Sequence, residues 1–565
     1  MKKYLLVLVS LCCALLPSLA EHPEYPELRK SDANIIGHVL DKKTSEHLPY
    51  IIIALKGTTI GTVTDATGHY FLKNLPEGNF VMEVSSVGYK TVTRSVTLKK
   101  GKTLEENFEL EEDAIALDGV VVSANRSETT RRLAPTLVNV VDLKLFETTN
   151  SSTLSQGLNF QPGVRVETNC QNCGFQQVRI NGLDGPYTQI LIDSRPVFSA
   201  LSGVYGLEQI PASMIERVEV MRGGGSALFG SSAIAGTINI ITKEPLRNSG
   251  QLSHTITSIG GSSAFDNNTS LNASLVTDDH RAGLYIFGQN RHRSGYDYDG
   301  DGFTELPKLK NQTVGFRSYL KTSTYSKLTF EYHHMQEFRR GGDMLDRPPH
   351  EAHIAEQLQH SIDGGSLKYD YFSPNEKNRL SVFASAANTD RDSYYGPGND
   401  PLKAYGKTTD LTAMGGAQYV HTFDKCLFMP SDLTAGLEYN RDRLKDNMWG
   451  YDRHTDQTVK VYSAFLQNEW KNKHWGILIG GRLDKHNMVD DVIFSPRANL
   501  RFNPMDNINL RLSYSSGFRA PQAFDEDMHI ENVGGTVAMI ERAKDLKEEK
   551  SQSFSASADM YHRFG

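Results

Sequence analysis

The chain has 565 residues, with 60 lysines and arginines against 67 aspartates and glutamates, for a formal net charge of -7. That length is far more than one core takes, so several domains or one very large β-structure are expected. The acidic balance and the lack of a basic tract exclude the electrostatic footprint of a nucleic-acid binder.

Residues 1–20, "MKKYLLVLVSLCCALLPSLA", carry two lysines, an apolar run and a small-x-small end, and read as a secretory signal cleaved before Glu21. Cys12 and Cys13 would leave with it, so Cys170, Cys173 and Cys426 would face an oxidising compartment. No later stretch of eighteen apolar residues offers a spanning helix. The periplasm, the exterior or an outer-membrane β-barrel remain, the last because barrel strands need apolar residues only at alternate positions.

Residues 33–110 contain short β-rich runs such as "NIIGHVLD", "YIIIAL" and "GNFVMEVSS", parted by Gly, Asp and Pro turns. Seven or so strands in that length predict a small β-sandwich. Within it, Asp65 to Gly68 is a turn signal, with Gly68 free to take positive φ. The following segment, "LEEDAIALDGVVVSANRSETTRRLAP", has an acidic start, an apolar centre at Gly119 to Ser123 and a polar end. It suits either an extended peptide that adds to a partner's sheet edge or a further strand of the sandwich.

Residues 127–245 mix helical and strand signals and predict an α+β domain. "NSSTLSQGLNFQPGV" offers a Ser or Asn helix N-cap. The stretch "GSALFGSS", Gly225 to Ser232, has the glycine spacing of a phosphate loop. Ser231 stands where the lysine is needed, a β-branched strand follows, and the third glycine of a dinucleotide fingerprint would fall on Leu228. Gly223 to Gly225 are therefore expected to serve a tight turn between strands.

From 250 to 565 the pattern becomes period two. Ile508, Leu510, Leu512 and Tyr514 share one face and Asn509, Arg511, Ser513 and Ser515 the other, as in a strand with lipid on one side and a wet lumen on the other. Short turns, as in "RFNPMDNINL", alternate with longer polar stretches such as 387–410, which favours an antiparallel transmembrane barrel over a soluble sandwich.

Three segments then carry a family resemblance. "VRINGLDGPYTQILIDSRPV", "IPASMIERVEVMRGGGSALFGSSAIAGTINIITK" and "SSGFRAPQAFDEDMHI" resemble the plug and barrel signatures of TonB-dependent outer-membrane transporters, over residues 117–565. The unit at 33–110 resembles the carboxypeptidase-regulatory-like sandwich that precedes the plug in such receptors from Bacteroidota. The resemblance implies a mainly β chain: sandwich, α+β plug at 127–245, and barrel from 250. It also implies an outer-membrane location with the N-terminal domain in the periplasm. Leu117, Asp118, Gly119, Val120, Val121, Val122, Ser123 and Ala124 stand where the TonB box belongs. That segment would pair with TonB, whose inner-membrane energising complex supplies the proton-motive force. The expected role is uptake of a scarce nutrient, a cobalamin or a ferric siderophore, with a haem receptor as the alternative and a surface lipoprotein as a candidate further partner. Neither an enzyme nor a required cofactor is implied.

Individual sites follow. Asp297, Asp299 and Asp301 in "GYDYDGDGFTEL" alternate ahead of Gly302, as in the first half of a calcium loop. The twelfth position is Lys308, with Glu305 available to compensate, so calcium in an extracellular loop stands beside a plain acidic turn. Cys170 and Cys173 in "NCQNCG" suit a redox pair, half a zinc site or a local disulfide. With no second ligand pair in the sequence nearby, a structural disulfide at the outward tip of the plug is expected. His529 follows the FRAP motif, where haem receptors of the family place an iron ligand, although the later box reads "AKDLKEEKS". Room for a dozen to fourteen strands, against the family's twenty-two, predicts a C-terminally truncated barrel. The rival classes are a secreted peptidase and a surface adhesin; the first finds no H-E-x-x-H or G-x-S-x-G motif.

Overall fold

The computed structural model describes residues 31–560, apart from 66, 87–88, 113–119, 125, 127–128, 171, 197–207, 209, 278, 397–401, 403, 506, 524–527, 534–535, 539–540, 542 and 544. Two compact units result, the first made mainly of residues before Leu110 and the second of Glu111 onward.

The first unit is a two-sheet β-sandwich. Strand Ala33–Asp41 pairs with His69–Leu75, Thr103–Glu105 and Phe108–Leu110, while Gly61–Val63, Ile52–Leu55, Gly78–Ser85 and Val92–Leu98 make the second sheet. Alternate residues turn inward, so Ile35, Val39, Ile53, Leu55, Met82, Val84 and Phe108 are buried. Gly68 takes φ +78° in the expected turn and donates its N–H to the Asp65 carbonyl at 3.0 Å.

In the second unit, a four-stranded sheet runs in the order Val138–Asp142, Ile215–Arg222, Gly236–Thr242, Thr188–Ile192. Its last pair is parallel and the others antiparallel. Helices Leu143–Thr148 and Leu154–Leu158 pack on it through Phe146, Leu154 and Leu158. The second helix starts at Thr153 rather than at a capping Ser or Asn, and the Thr153 hydroxyl bonds Ser155 instead of the helix N–H groups. A separate hairpin, Val164–Cys170 with Phe175–Ile180, projects from this domain.

The glycine stretch behaves as a turn. Gly223 takes φ +82°, a conformation glycine reaches without steric cost, and donates to the Ala235 carbonyl at 2.9 Å. Ser226–Phe229 forms one helical turn before the chain enters the strand Gly236–Thr242. A Cβ at Gly224 would lie 2.5 Å from the Ser515 hydroxyl of the surrounding wall, so a side chain there would need the wall to shift.

Fourteen antiparallel strands, from Ser249–Ser258 to Glu549–Met560, pair in sequence order around this domain among the described residues. Their inward positions are polar and buried, as at Asn509 and Arg511, while Leu437, Leu466, Ile479 and Leu512 stand exposed on the outside. This is the alternation of a lipid-facing barrel. The turns at 324–325, 427–428 and 472–474 are short and those at 294–307, 343–354 and 520–548 long. Near the short-turn end, Trp475 stacks on Phe502 at 4.2 Å and Phe428 on Trp470 at 5.6 Å, aromatic pairs of the kind that ring a membrane interface. One expectation fails here. Residues 387–410 are not a long connection, because strand Asn378–Gly396 runs through the first ten of them and Tyr405–Cys426 begins within the rest. Strands this long overreach the lipid, and where they do both faces can be polar, which the sequence pattern presents as a loop.

Candidate functional site

Glu219 sits mid-strand between Val218 and Val220, in the interior of the plug sheet, and is 0% exposed. A carboxylate so placed must find donors. It takes three on Oε2: the backbone N–H of Val122 at 2.9 Å, that of Ser123 at 2.9 Å and the Ser123 hydroxyl at 2.7 Å. Arg217 satisfies Oε1 at 3.0 Å. The Ser123 oxygen also accepts from Asn239 at 3.0 Å, and the Ala124 carbonyl accepts from Arg497 of the barrel wall at 3.0 Å. Val120–Val121 pairs antiparallel with Thr129–Thr130, and Val121 and Ala124 pack with Ala134 and Val138. The described part of the expected TonB box, Val120 to Ala124, is thus held to the plug and the barrel wall through its own backbone N–H and carbonyl groups. Leu117, Asp118 and Gly119 lie outside the described residues.

The wall grips the plug through buried charges. Glu208 meets Arg339 at 2.8 Å, Arg293 at 3.2 Å and Arg291 at 3.4 Å. Burial alone would raise its carboxyl, but Arg293, Arg339 and Arg291 outweigh it and hold the group down at about 2. Arg126, just past the box, pairs with Glu438 at 2.6 Å, and the same carboxylate takes Arg482 at 2.7 Å. Asp193 of the plug meets Arg317 at 2.6 Å.

At the tip of the projecting hairpin, Cys170 and Cys173 are free thiols, so the expected disulfide is not formed. Each sulfur has turned to another partner. Cys170 Sγ donates to Glu356 Oε2 at 3.2 Å, and Cys173 Sγ lies 3.3 Å from His529 Nε2. His529 Nε2 stands 3.4 Å from Glu356 Oε2. The Cys173 hydrogen bond, ahead of that from His529, lowers the Cys170 thiol pKa against the effect of burial. Burial would lower His529, but bonds to Cys170 and Glu356 outweigh it and raise the imidazole. The His529 ring is wedged 5.4 Å from both Phe175 and Tyr395, and its side chain is only 9% exposed. A haem ligand needs an open face, and this histidine points into the protein. Glu356, Glu208 and Glu219 were not singled out from sequence. For Glu219 and Glu356 the signal was an acidic residue at an inward or fully buried strand position, which marks burial without naming a partner, and Glu208, outside any strand, carried no such signal.

In the long turn 294–307, ligand oxygens of Asp297, Asp299, Asp301 and Glu305 lie within 4.8 Å of one another. Asp297 accepts the Gly300 and Gly302 N–H groups at 2.7 and 2.9 Å, with both glycines at positive φ. The four residues expected to converge do converge.

Comparison with known proteins decides the family. The description "TonB dependent receptor-like, beta-barrel" matches residues 241–565, "TonB-dependent Receptor Plug Domain" matches 130–237, and "CarboxypepD_reg-like domain" matches 35–122. The chain belongs to the TonB-dependent receptor family. Its homologues are outer-membrane β-barrel transporters and receptors. The vitamin B12 transporter BtuB of Vibrio vulnificus strain CMCP6 is 24% identical over 424 residues, covering 72% of this chain and 64% of that protein. This chain therefore spans less than two thirds of that relative. Among solved structures, the siderophore receptor PirA from Acinetobacter baumannii superposes with a TM-score of 0.64 at 18% identity, covering 76% of this chain and 69% of that one. A variant of the ferric enterobactin receptor PfeA from Pseudomonas aeruginosa gives 0.63 at 18% identity, over 76% of this chain and 70% of that one. At that identity these structures establish the fold.

Proposed function

We propose that this receptor takes up cobalamin or a ferric siderophore across the outer membrane, with TonB and its inner-membrane complex drawing on the proton-motive force. The observation that carries the reading is the tether of Val122 and Ser123 to Glu219. A segment able to add to a partner's sheet is stored against the plug by hydrogen bonds that compete with that partner. Pulling it free takes away donors that the buried Glu219 needs, so withdrawal would loosen the plug sheet at its centre. The N-terminal sandwich would then lie in the periplasm, on the side where TonB acts, and a surface lipoprotein would deliver cargo from the other. The cobalamin reading draws on the BtuB similarity and the siderophore reading on the PirA and PfeA folds. Equilibrium binding of cyanocobalamin and of a ferric siderophore to the detergent-purified protein tests it, followed by accumulation in cells with and without TonB. Binding of neither, or uptake that persists without TonB, refutes it.

The convergence of four carboxylates in the 294–307 turn supports calcium as an ordering ion on the long-loop side. A melting temperature and ligand affinity both unchanged by a chelator would refute that role.

A further inference from the structure

Cys170 and Cys173 end up on one side of the hairpin tip for a local reason. The ladder slips between Thr168 and Cys170, Gly174 takes φ +70°, and its N–H closes onto the Cys170 carbonyl at 3.0 Å. Two other segments complete the cluster. Glu356 is the second residue of the strand Ala355–Phe372, and His529 precedes the buried Ile530 in the long 520–548 connection. Two sulfurs, an imidazole nitrogen and a carboxylate oxygen all lie within 4.8 Å of one another.

Zinc bonds of about 2.0 Å to nitrogen or oxygen and about 2.3 Å to sulfur make tetrahedron edges of roughly 3.3–3.8 Å. Of the three edges found here, 3.3 and 3.4 Å sit at the short end of that range and 3.2 Å lies just below it, so the donors need only small shifts to meet a zinc ion. We propose that Cys170, Cys173, Glu356 and His529 form a tetrahedral zinc site that clips the plug hairpin to the barrel wall and to the loop bearing His529. The donor set selects the metal. Calcium and magnesium take oxygen ligands, and copper(I) is suited by thiolates but gains little from a carboxylate. Four protein donors leave no open position, which marks a structural rather than a catalytic site. Phe175, Leu358, Tyr395, Met448 and Ile530 wall the cluster with apolar surface, and Phe175 and Tyr395 fix the imidazole plane. On binding, both thiol protons and any proton on the His529 ring nitrogen facing the metal leave to solvent, so the sulfurs coordinate as thiolates and the imidazole as a neutral donor. The clip is independent of which cargo the receptor carries.

The competing fate of the two cysteines is oxidation to a disulfide, which would remove both sulfur ligands. The test uses the whole protein in detergent, prepared without chelator or reductant. Zinc is measured by mass spectrometry of the metal and thiols by alkylation. Zinc is then exchanged for cobalt(II), whose thiolate charge-transfer and tetrahedral d–d bands report the ligand set. We expect about one metal per chain, two alkylatable thiols after metal removal, and thiolate-type cobalt bands. Cys173→Ser should weaken those bands, and His529→Gln should lower cobalt affinity at least about tenfold, while Cys426→Ser leaves both unchanged. Zinc should also slow hydrogen exchange across residues 164–180. A Cys170–Cys173 disulfide in the protein as isolated overturns the proposal, as does cobalt uptake without thiolate bands. Because the wild-type spectrum alone decides, a variant that fails to fold does not rescue the idea.

Discussion

Replacing Glu208 by Gln keeps the size of the side chain and removes its charge from among three arginines. The carboxylate is 5% exposed and held at about 2, against an ordinary 4.5. A difference of about 2.5 pKa units corresponds to about 3 kcal/mol, in line with the loss expected when one partner leaves a buried ion pair. The arginines do not fare equally. Arg291 keeps Asp266 at 2.6 Å and Arg339 keeps Glu337 at 2.8 Å, whereas Arg293 is left with the Pro307 carbonyl at 3.2 Å. The uncompensated charge should therefore fall on the contact between the plug and the strand Ala282–Arg293. Hydrogen exchange of plug peptides at pH 7, read by mass spectrometry, should accelerate about a hundredfold, since each 1.4 kcal/mol is tenfold. The pH dependence carries the same sign. A depressed carboxylate stabilises fully above its unfolded value of 4.5, and that stabilisation fades as pH falls toward 2. The wild type should therefore show little change from this group between pH 7 and 5, then approach the variant in acid. Exchange in Glu208→Gln within threefold of wild type at pH 7 would refute the idea that this charge cluster fastens the plug.

Three further substitutions probe other parts of the argument. Glu219→Gln weakens the charge-assisted bonds to Val122 and Ser123, each worth about 1.5–3 kcal/mol; maleimide labelling of a Val122→Cys reporter should rise about tenfold, and equal labelling in both backgrounds would remove the tether. Gly223→Ala forces a side chain to φ +82° at a cost of about 1–2 kcal/mol, to be seen as a lowered Tm, and an unchanged Tm would argue against a strained turn. Leu512, 56% exposed on the outer face, should tolerate Arg poorly, at about 2–4 kcal/mol if it lies near the bilayer midplane; folded yield by heat-modified gel mobility measures this, and wild-type yield would mean that the residue does not face lipid.

Much of the architecture was legible because it rests on period and on backbone sterics. The alternation at Ile508 to Ser515 correctly separated an outer apolar face from an inner polar one, and Gly68 and Gly223 lie at positive φ where turns required it. What stayed hidden depends on partners far away in the chain. Cys170 meets Glu356 across 186 residues and Cys173 meets His529 across 356. Alternation can say that Glu356 points inward, but it cannot say which plug residue fills the space in front of it. The same gap made a CxxC pair without neighbouring ligands read as a disulfide, and left the histidine after FRAP as a solvated side chain or, as an alternative, a haem ligand.

The difficulty has a physical source in how a plugged barrel is built. Its lumen-facing positions must be polar and its plug must present surface to them, so the two are joined by contacts such as Glu208 with its arginines, Arg126 with Glu438 and Arg497 with the Ala124 carbonyl. Apolar cores announce themselves in sequence because any apolar neighbour of suitable size will do. Polar contacts require a specific partner at a specific distance, and a carboxylate within reach of three guanidinium groups looks, in sequence, like any other glutamate. The arrangement would also suit the plug withdrawal that the proposed function requires. An apolar interface of comparable extent would have to expose its whole area to water on separation, whereas ion pairs and hydrogen bonds can be exchanged one at a time for water as the plug loosens.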